Sequence, residues 1–220
     1  EYLMRHGVDG RRIVVTGGAN FDATAQLRPD RAAIFRAMGV DPGLKLIVFT
    51  TQGCGAGNCP SGEEIRSGIE EATRAAAGDS RVLLYFQVHP AQDTADVQSI
   101  VDGCGPLNNV LVGKYADTEA LMAVSDGVIT FFSTTAIDAL ILDKPLLLIN
   151  LSDDRNFYPF ARMKAAIGVY TKAGIAAGFA RLVDDDRAMA AARVKAAAYA
   201  TYKVDGRSCA RILEVARGML

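Results

Sequence analysis

The sequence predicts an α/β fold, a Rossmann-like doubly wound parallel sheet with helices on both faces. Short apolar runs alternate with stretches of helical apolar spacing along most of the 220 residues. The runs are apolar at consecutive positions, as strands buried on both faces must be. Small, hydroxyl-bearing or glycine residues recur just past the ends of those runs, where such sheets bind ligands.

The elements follow in order. Residues 12–16 form a β-branched run closed by Gly17-Gly18, which predicts a strand and a turn, and the polar stretch 22–29 reads as a connector. Residues 31–38 carry Ala32, Phe35 and Met38 at helical spacing, with Gly39 as the cap and Asp41-Pro42-Gly43 as a turn. A continuous apolar strand over 44–51 runs directly into Gln52-Gly53-Cys54-Gly55-Ala56-Gly57-Asn58. Residues 63–77 read as a helix whose acidic first turn suits the positive end of the dipole. A buried strand over 82–88 ends at His89-Pro90. A helix over 94–101, a strand over 110–112 and a helix over 118–124 come next.

The most informative stretch comes after these. A strand over 128–132 ends in Ser133-Thr134-Thr135 at the start of a helix over 135–142, and a second buried strand covers 146–151. A final short strand is predicted over 168–171, with helices over 187–199 and 207–219. No internal repeat is visible.

Composition excludes several classes. Half of the residues are apolar, enough for a large core, and the net charge of −1 with interspersed acids and bases gives nucleic acid or an anionic membrane no extended basic face. No apolar segment approaches the length of a membrane span, and no signal-peptide pattern opens the chain, so the expected location is the cytoplasm. Glu1 is not an initiator methionine, and the first residues read as an element already under way, so the expectation is a piece of a longer protein. Cys54, Cys59, Cys104 and Cys209, with only His6 and His89 beside them, lack paired metal-ligand spacing and read as ordinary small residues of a reducing compartment. No metal is expected.

Candidate ligand-binding residues lie past the strand ends. Ser133, Thr134 and Thr135 sit where a helix entrance offers unpaired N–H groups, the positive end of a dipole and hydroxyls, a combination that suits the phosphates of a nucleoside diphosphate. A plain helix cap would use the same residue types. Asp138, one turn into that helix, can accept hydrogen bonds from ribose hydroxyls or simply favour the dipole. Gly53 can let backbone approach a phosphate or sugar, although its loop matches neither the P-loop nor the dinucleotide fingerprint; an unstructured loop is the alternative. His89 can donate to phosphate or to a sugar hydroxyl, or be satisfied by neighbouring backbone. Lys144 reads as a turn residue, and Asp153, Asp154 and Arg155 as either a binding loop or a solvated turn.

These residues carry a resemblance. Val15-Thr16-Gly17 with Phe21-Asp22, His89-Pro90, Ser125-Asp126 to Asp138 with Lys144-Pro145, and Asp205-Gly206-Arg207 with Arg211-Ile212 resemble the C-terminal half of GT-B fold proteins. That architecture is shared by nucleotide-sugar glycosyltransferases, CDP-glycerol glycerophosphotransferases and UDP-N-acetylglucosamine 2-epimerases. The resemblance implies a cut at 1–28 (end of a truncated N-terminal domain and linker), 29–200 (nucleotide-binding domain) and 201–220 (C-terminal helix). It implies that Ser133 and Thr134 hold the donor diphosphate, that Asp138 holds the ribose where relatives often have glutamate, and that His89 meets the donor phosphates. Thr134-Thr135 replace the two glycines of the epimerase turn, which favours a transferase over an epimerase.

The function implied is the donor-binding part of a transferase that moves a sugar or polyol phosphate from a UDP- or CDP-linked donor in surface polysaccharide synthesis, with no further cofactor. Its partners would be that donor and a missing N-terminal domain that carries the acceptor site, with peripheral membrane association through the full-length protein. Inactivity of this part alone is expected. A 2-epimerase-like isomerase and a non-catalytic nucleotide-binding module are the alternatives.

Overall fold

The computed structural model describes residues 2–53, 60–152, 158–184 and 187–219. At its centre lie β1 (Lys45–Thr50), β2 (Val82–Gln87), β3 (Val110–Gly113), β4 (Gly127–Thr130), β5 (Leu146–Ile149) and β6 (Ile167–Val169). They form one sheet in the order β3-β2-β1-β4-β5-β6, and every neighbouring pair is parallel. The chain winds from β1 out to β3, then returns to the other side of β1 and continues to β6. Strand order therefore reverses between β1 and β4, and the crevice beyond the carboxyl ends of these two strands is where a doubly wound sheet has room for a ligand.

The helices are α1 (Tyr2–Arg5), α2 (Ala19–Gln26), α3 (Arg31–Met38), α4 (Gly62–Ala77), α5 (Thr94–Asp102), α6 (Thr118–Val124), α7 (Thr135–Ile141), α8 (Ile175–Val183), α9 (Ala190–Thr201) and α10 (Ser208–Arg217). None is long and apolar enough to cross a membrane among the described residues. Strand alternation explains why the runs are apolar throughout. Ile47, Phe49, Leu84, Phe86, Ile129, Leu147 and Ile149 point to one face, where they meet α4, α5 and α8. Leu46, Val48, Leu83, Tyr85, Val128, Leu146 and Leu148 point to the other and meet α3, α6, α7 and α9. Phe49 anchors the first face, with ring centroids 5.3 Å from Phe86 and 5.4 Å from Phe131. Full burial of each such side chain stabilises the fold by about 1.5–3 kcal/mol. Gly68 lets α4 settle on this face, because a Cβ there would lie 2.7 Å from the Phe131 ring.

Helix starts follow local chemistry. The side chains of Asp30, Asp93 and Asp117 accept from backbone N–H groups of α3, α5 and α6, and Ser61 with Glu64 forms a capping box on α4. The amino-terminal edge of the sheet is fastened by charges. The Asp126 carboxylate accepts from the Leu46 N–H at 2.8 Å and from Arg31 at 2.9 Å, and Arg31 also donates to the Val124 and Leu44 carbonyls. Lys144 donates to the Ser125 carbonyl at 2.9 Å, Lys45 to the Val183 carbonyl at 2.6 Å, and the buried Arg193 to Asp143 at 2.7 Å. Burial pushes the Lys144 ammonium below its usual range. Lys144 thus lies in the turn before β5, as the sequence suggests, and serves the fold there.

Three expectations are corrected. Residues 13–18 join no strand, and Val14 and Val15 are exposed; β-branched residues without a neighbouring strand have no ladder to enter. The supposed connector at 22–29 contains most of α2. α8 was not anticipated, although Ile175, Gly178, Phe179, Leu182 and Val183 recur at helical spacing and are buried.

The outer pieces of the resembling set meet in one structural knot. Asp22 accepts from the N–H groups of Gly206 at 3.0 Å and Ser208 at 2.9 Å, and these donors hold its carboxyl below the usual carboxylate range. Arg211 donates to the Thr16 carbonyl at 2.7 Å and pairs with Asp205 at 2.9 Å. The start of α10 is thereby tied to the segment that precedes and opens α2.

Candidate functional site

Two neighbouring threonines at the end of β1 organise the switch-point crevice. Successive strand residues face opposite ways, so Thr50 and Thr51 reach toward different neighbours. The Thr50 hydroxyl lies 3.0 Å from that of Thr135, which also donates toward the Thr130 hydroxyl at 3.5 Å. The Thr51 hydroxyl accepts from the His89 N–H at 3.0 Å and donates to the Gln92 side-chain amide oxygen Oε1 at 2.5 Å. Through adjacent residues of one strand, the turn after β2 and the start of α7 are held on either side of the same crevice. Gln87 braces the outer wall by exchanging hydrogen bonds with the Tyr115 backbone and donating to the Thr118 hydroxyl.

His89 itself is exposed, and its Nδ1 accepts from the Ala91 N–H at 3.1 Å. That bond needs an unprotonated Nδ1, so the neutral ring carries its proton on Nε2, which is then a donor. Backbone satisfaction at one nitrogen and an anion-ready donor at the other coexist. Gly53 packs on this turn: a Cβ there would sit 3.2 Å from His89 Nδ1. Residues 54–59, with Cys54, Cys59 and the rest of the glycine-rich loop, lie outside the described residues, as do Asp153, Asp154 and Arg155.

At α7 the structure divides the three hydroxyl residues. Ser133 Oγ accepts from the Thr135 N–H at 3.3 Å and so does the capping, while Thr134, at the cap position, makes no capping bond with its side chain. The Ser133 carbonyl accepts from Ala136 and the Thr134 carbonyl from Ile137. The idea that the first turn of α7 offers a row of unpaired amides is therefore corrected: the N–H groups of Thr135, Ala136 and Ile137 are engaged within the turn itself. Thr135 directs its hydroxyl to the strand ends. The exposed Thr134 hydroxyl and the proton of the Ser133 hydroxyl are the donors that face outward.

Asp138 lines a pocket of about 450 Å³ with Thr134, Asn20, Thr24, Asp117 and Glu119. Asp117 is occupied in capping α6, donating nothing and accepting from the Ala120 N–H at 2.8 Å. The Asp138 backbone carbonyl accepts from Leu142, while its carboxylate makes no hydrogen bond with the described residues. Burial first, and the nearby Glu119 carboxylate second, raise its carboxyl to about 6. A half-desolvated carboxylate with open lone pairs is suited to accept from paired hydroxyls.

Two further residues escaped sequence reasoning. Gln52 Oε1, just past β1, and Ser152 Oγ, just past β5, are buried with no hydrogen-bond partner among the described residues. Such atoms cost about 1–3 kcal/mol each unless water or a ligand meets them. Thr24 escaped because 22–29 read as a connector, and Asn20 because no helix was expected over Ala19–Gln26, whereas the threonine pair ending an apolar strand was a visible signal for Thr50 and Thr51. Among the described residues no cluster of three or more His, Cys, Asp or Glu could hold a metal ion.

The chain's residues 4–216 match the family model described as CDP-Glycerol:Poly(glycerophosphate) glycerophosphotransferase. The chain belongs to this glycerophosphotransferase family. No curated protein matches it. Among solved structures it resembles the UDP-GlcNAc 2-epimerase of Neisseria meningitidis bound to UDP-GlcNAc, at 17% identity and a TM-score of 0.70, covering 98% of this chain and 58% of that one. S. aureus MnaA in its co-structure with UDP gives 16% identity and a TM-score of 0.69, with 96% and 56% covered. The wall teichoic acid polymerase TagF, soaked with CDPG, gives 16% identity and a TM-score of 0.57, with 94% and 52% covered. This glycerophosphotransferase-family chain thus has the fold of the C-terminal half of GT-B enzymes, and it spans little more than half the length of these structures.

Proposed function

We propose that the chain is the donor-binding part of a transferase that moves a polyol phosphate or sugar from a nucleoside-diphosphate donor during surface polysaccharide synthesis. The family match over 4–216 carries this reading, and it favours a glycerophosphotransferase over the epimerases that share the fold. The acceptor site and the remaining catalytic groups would belong to a further domain, with residues 1–28 as its end and linker, 29–200 as the donor domain and 201–220 as the closing helix.

In this reading the donor diphosphate lies in the crevice. The Nε2 proton of His89 and the hydroxyls of Ser133 and Thr134 donate to its oxygens, and Asp138 accepts from the ribose. As the bond to the transferred group breaks, negative charge accumulates on the leaving phosphate, and donors already fixed by Thr51 and by the first turn of α7 stabilise it without reorganising. The unmatched Gln52 and Ser152 side chains lie at the same strand ends, where a polar ligand or its water would satisfy them.

Calorimetric titration with CDP, UDP and GDP tests the reading. Saturable binding of CDP or UDP, weakened at least tenfold in the Ser133→Ala, Asp138→Ala double variant, is expected; a folded protein that binds none of the three would overturn it. Incubation of the full-length protein with UDP-N-acetylglucosamine alone should release no epimer.

A further inference from the structure

A second cavity lies at the opposite margin of the sheet from β3. It has a volume of about 740 Å³ and runs between the segment 161–170, which contains β6, the outer side of α8 and the first turns of α9. Its size falls in the range of small-molecule sites. Among the described residues, Arg162, Lys164, Arg181 and Lys195 line it, and no carboxylate or carboxamide side chain does. None of these four cations has an ion pair or side-chain hydrogen bond among the described residues. By contrast, eight other cations, Arg11, Arg31, Arg66, Arg74, Arg81, Lys172, Arg193 and Arg211, each lie within 4 Å of a carboxylate. In a chain of net charge −1, four cations converge on one groove whose described lining holds no acid.

The backbone adds an independent observation. Lys164 sits at φ 57°, in the left-handed region, where the tight turn that returns Lys164 N–H to Ala161 and Ala165 N–H to Phe160 would favour glycine. A long side chain there costs about 1 kcal/mol, and strain of this kind clusters at ligand sites. Tyr170 closes the rim, its hydroxyl lying 2.8 Å from where a Cβ on Gly168 would be.

We infer that this groove binds a phosphodiester polyanion, a chain of polyol phosphates, away from the donor crevice. The inference rests on the proposed reading of the family's chemistry for the choice of a polyol-phosphate polymer, and on the groove alone for the choice of a polyanion. A described lining whose charged side chains are all cationic donors suits repeated phosphates better than sugar hydroxyls or bases. Concavity argues against a bilayer, which meets convex faces carrying exposed apolar side chains; among the described residues Tyr170 is the only exposed large apolar one on this lining. An acceptor polymer held here would remain with the enzyme between additions.

The test is fluorescence anisotropy with a labelled glycerol-phosphate hexamer, run beside CDP calorimetry on the same protein. The hexamer should bind the wild type and lose at least tenfold in affinity in the Arg162→Ala, Arg181→Ala double variant, whose CDP binding and circular dichroism stay unchanged. Raising NaCl from 50 to 200 mM should weaken it about 50-fold if all four cations engage phosphates as they do on single strands. A hexamer that does not bind, or binds the double variant equally well, overturns the groove assignment and leaves the donor reading standing if CDP still binds. Loss of CDP binding alone sinks the donor reading instead. Groove-dependent binding of phosphatidylglycerol vesicles without hexamer binding, or tighter binding of a deoxythymidine oligomer of equal charge, would assign the groove to a membrane or to nucleic acid and overturn the proposal.

Discussion

The two ends of β4 bear similar residues and do different work. At its amino end Ser125 and Asp126 are locked into the fold, the Ser125 hydroxyl on the Met122 carbonyl and the Asp126 carboxylate on the Leu46 N–H and Arg31. At its carboxyl end Ser133 and Asp138 retain unused hydrogen-bonding capacity, and Asp138 has a carboxyl raised to about 6 by burial. Polar residues at the amino edge are matched by the fold itself. At the carboxyl edge the reversal of strand order opens a crevice, and unmatched capacity remains available to a ligand.

Breaking the amino end should give the largest effect. Asp126→Ala leaves the Leu46 N–H and the Arg31 guanidinium without their acceptor, and should lower stability by about 2 kcal/mol in urea unfolding while CDP affinity holds in the folded protein. The same substitution at the carboxyl end should do the opposite. Ser133→Ala with Asp138→Ala should weaken nucleoside diphosphate binding at least tenfold, about 1.4 kcal/mol, with little loss of stability; equal affinity in a folded double variant would remove these residues from the site.

The pH dependence of Asp138 sharpens the contrast. Its folded carboxyl titrates near 6 against an ordinary 3.8, so between these values the folded state holds a proton that the unfolded chain has released. Stability therefore falls as pH rises from about 4 to 6 and is level above that. Asp138→Asn should remove this slope and be the more stable protein at pH 7.5, with the difference vanishing at pH 4. Nucleotide affinity should rise over the same window in the wild type, since the ionised carboxylate is the better acceptor. A smaller effect is expected from Thr51→Val, which keeps volume but removes the acceptor for the His89 N–H; a loss of three- to tenfold in CDP affinity, about 1 kcal/mol, would show that the strand-end threonine positions the histidine turn.

Much of this was legible in the residues. The sheet, most of its helices and the places of Gly53, His89 and Ser133 just past strand ends followed from period and from strand ends. Ile13, Val14 and Val15 misled because a β-branched run is a strand only when another strand lies beside it. α8 was missed although its apolar spacing is plain, since its position between two weak segments drew no boundary. The pocket wall made by Asn20 and Thr24 could not be read at all, because α2 reaches Asp138 only after Asp22 has tied it to Gly206 and Ser208, 184 and 186 residues away.

What the sequence determined by itself was the class of fold and the family, since both are written in local alternation and in contiguous motifs that need no knowledge of distant contacts. The tertiary structure alone decided which polar residues are consumed and which are left over. Thr134 and Thr135 are neighbours of one chemistry, yet one hydroxyl is turned to the Thr50 and Thr130 strand ends and the other to the pocket of Asp138. That choice depends on where strands far apart in the chain come to lie, and hydrogen bonding is settled by distance and direction, not by residue type.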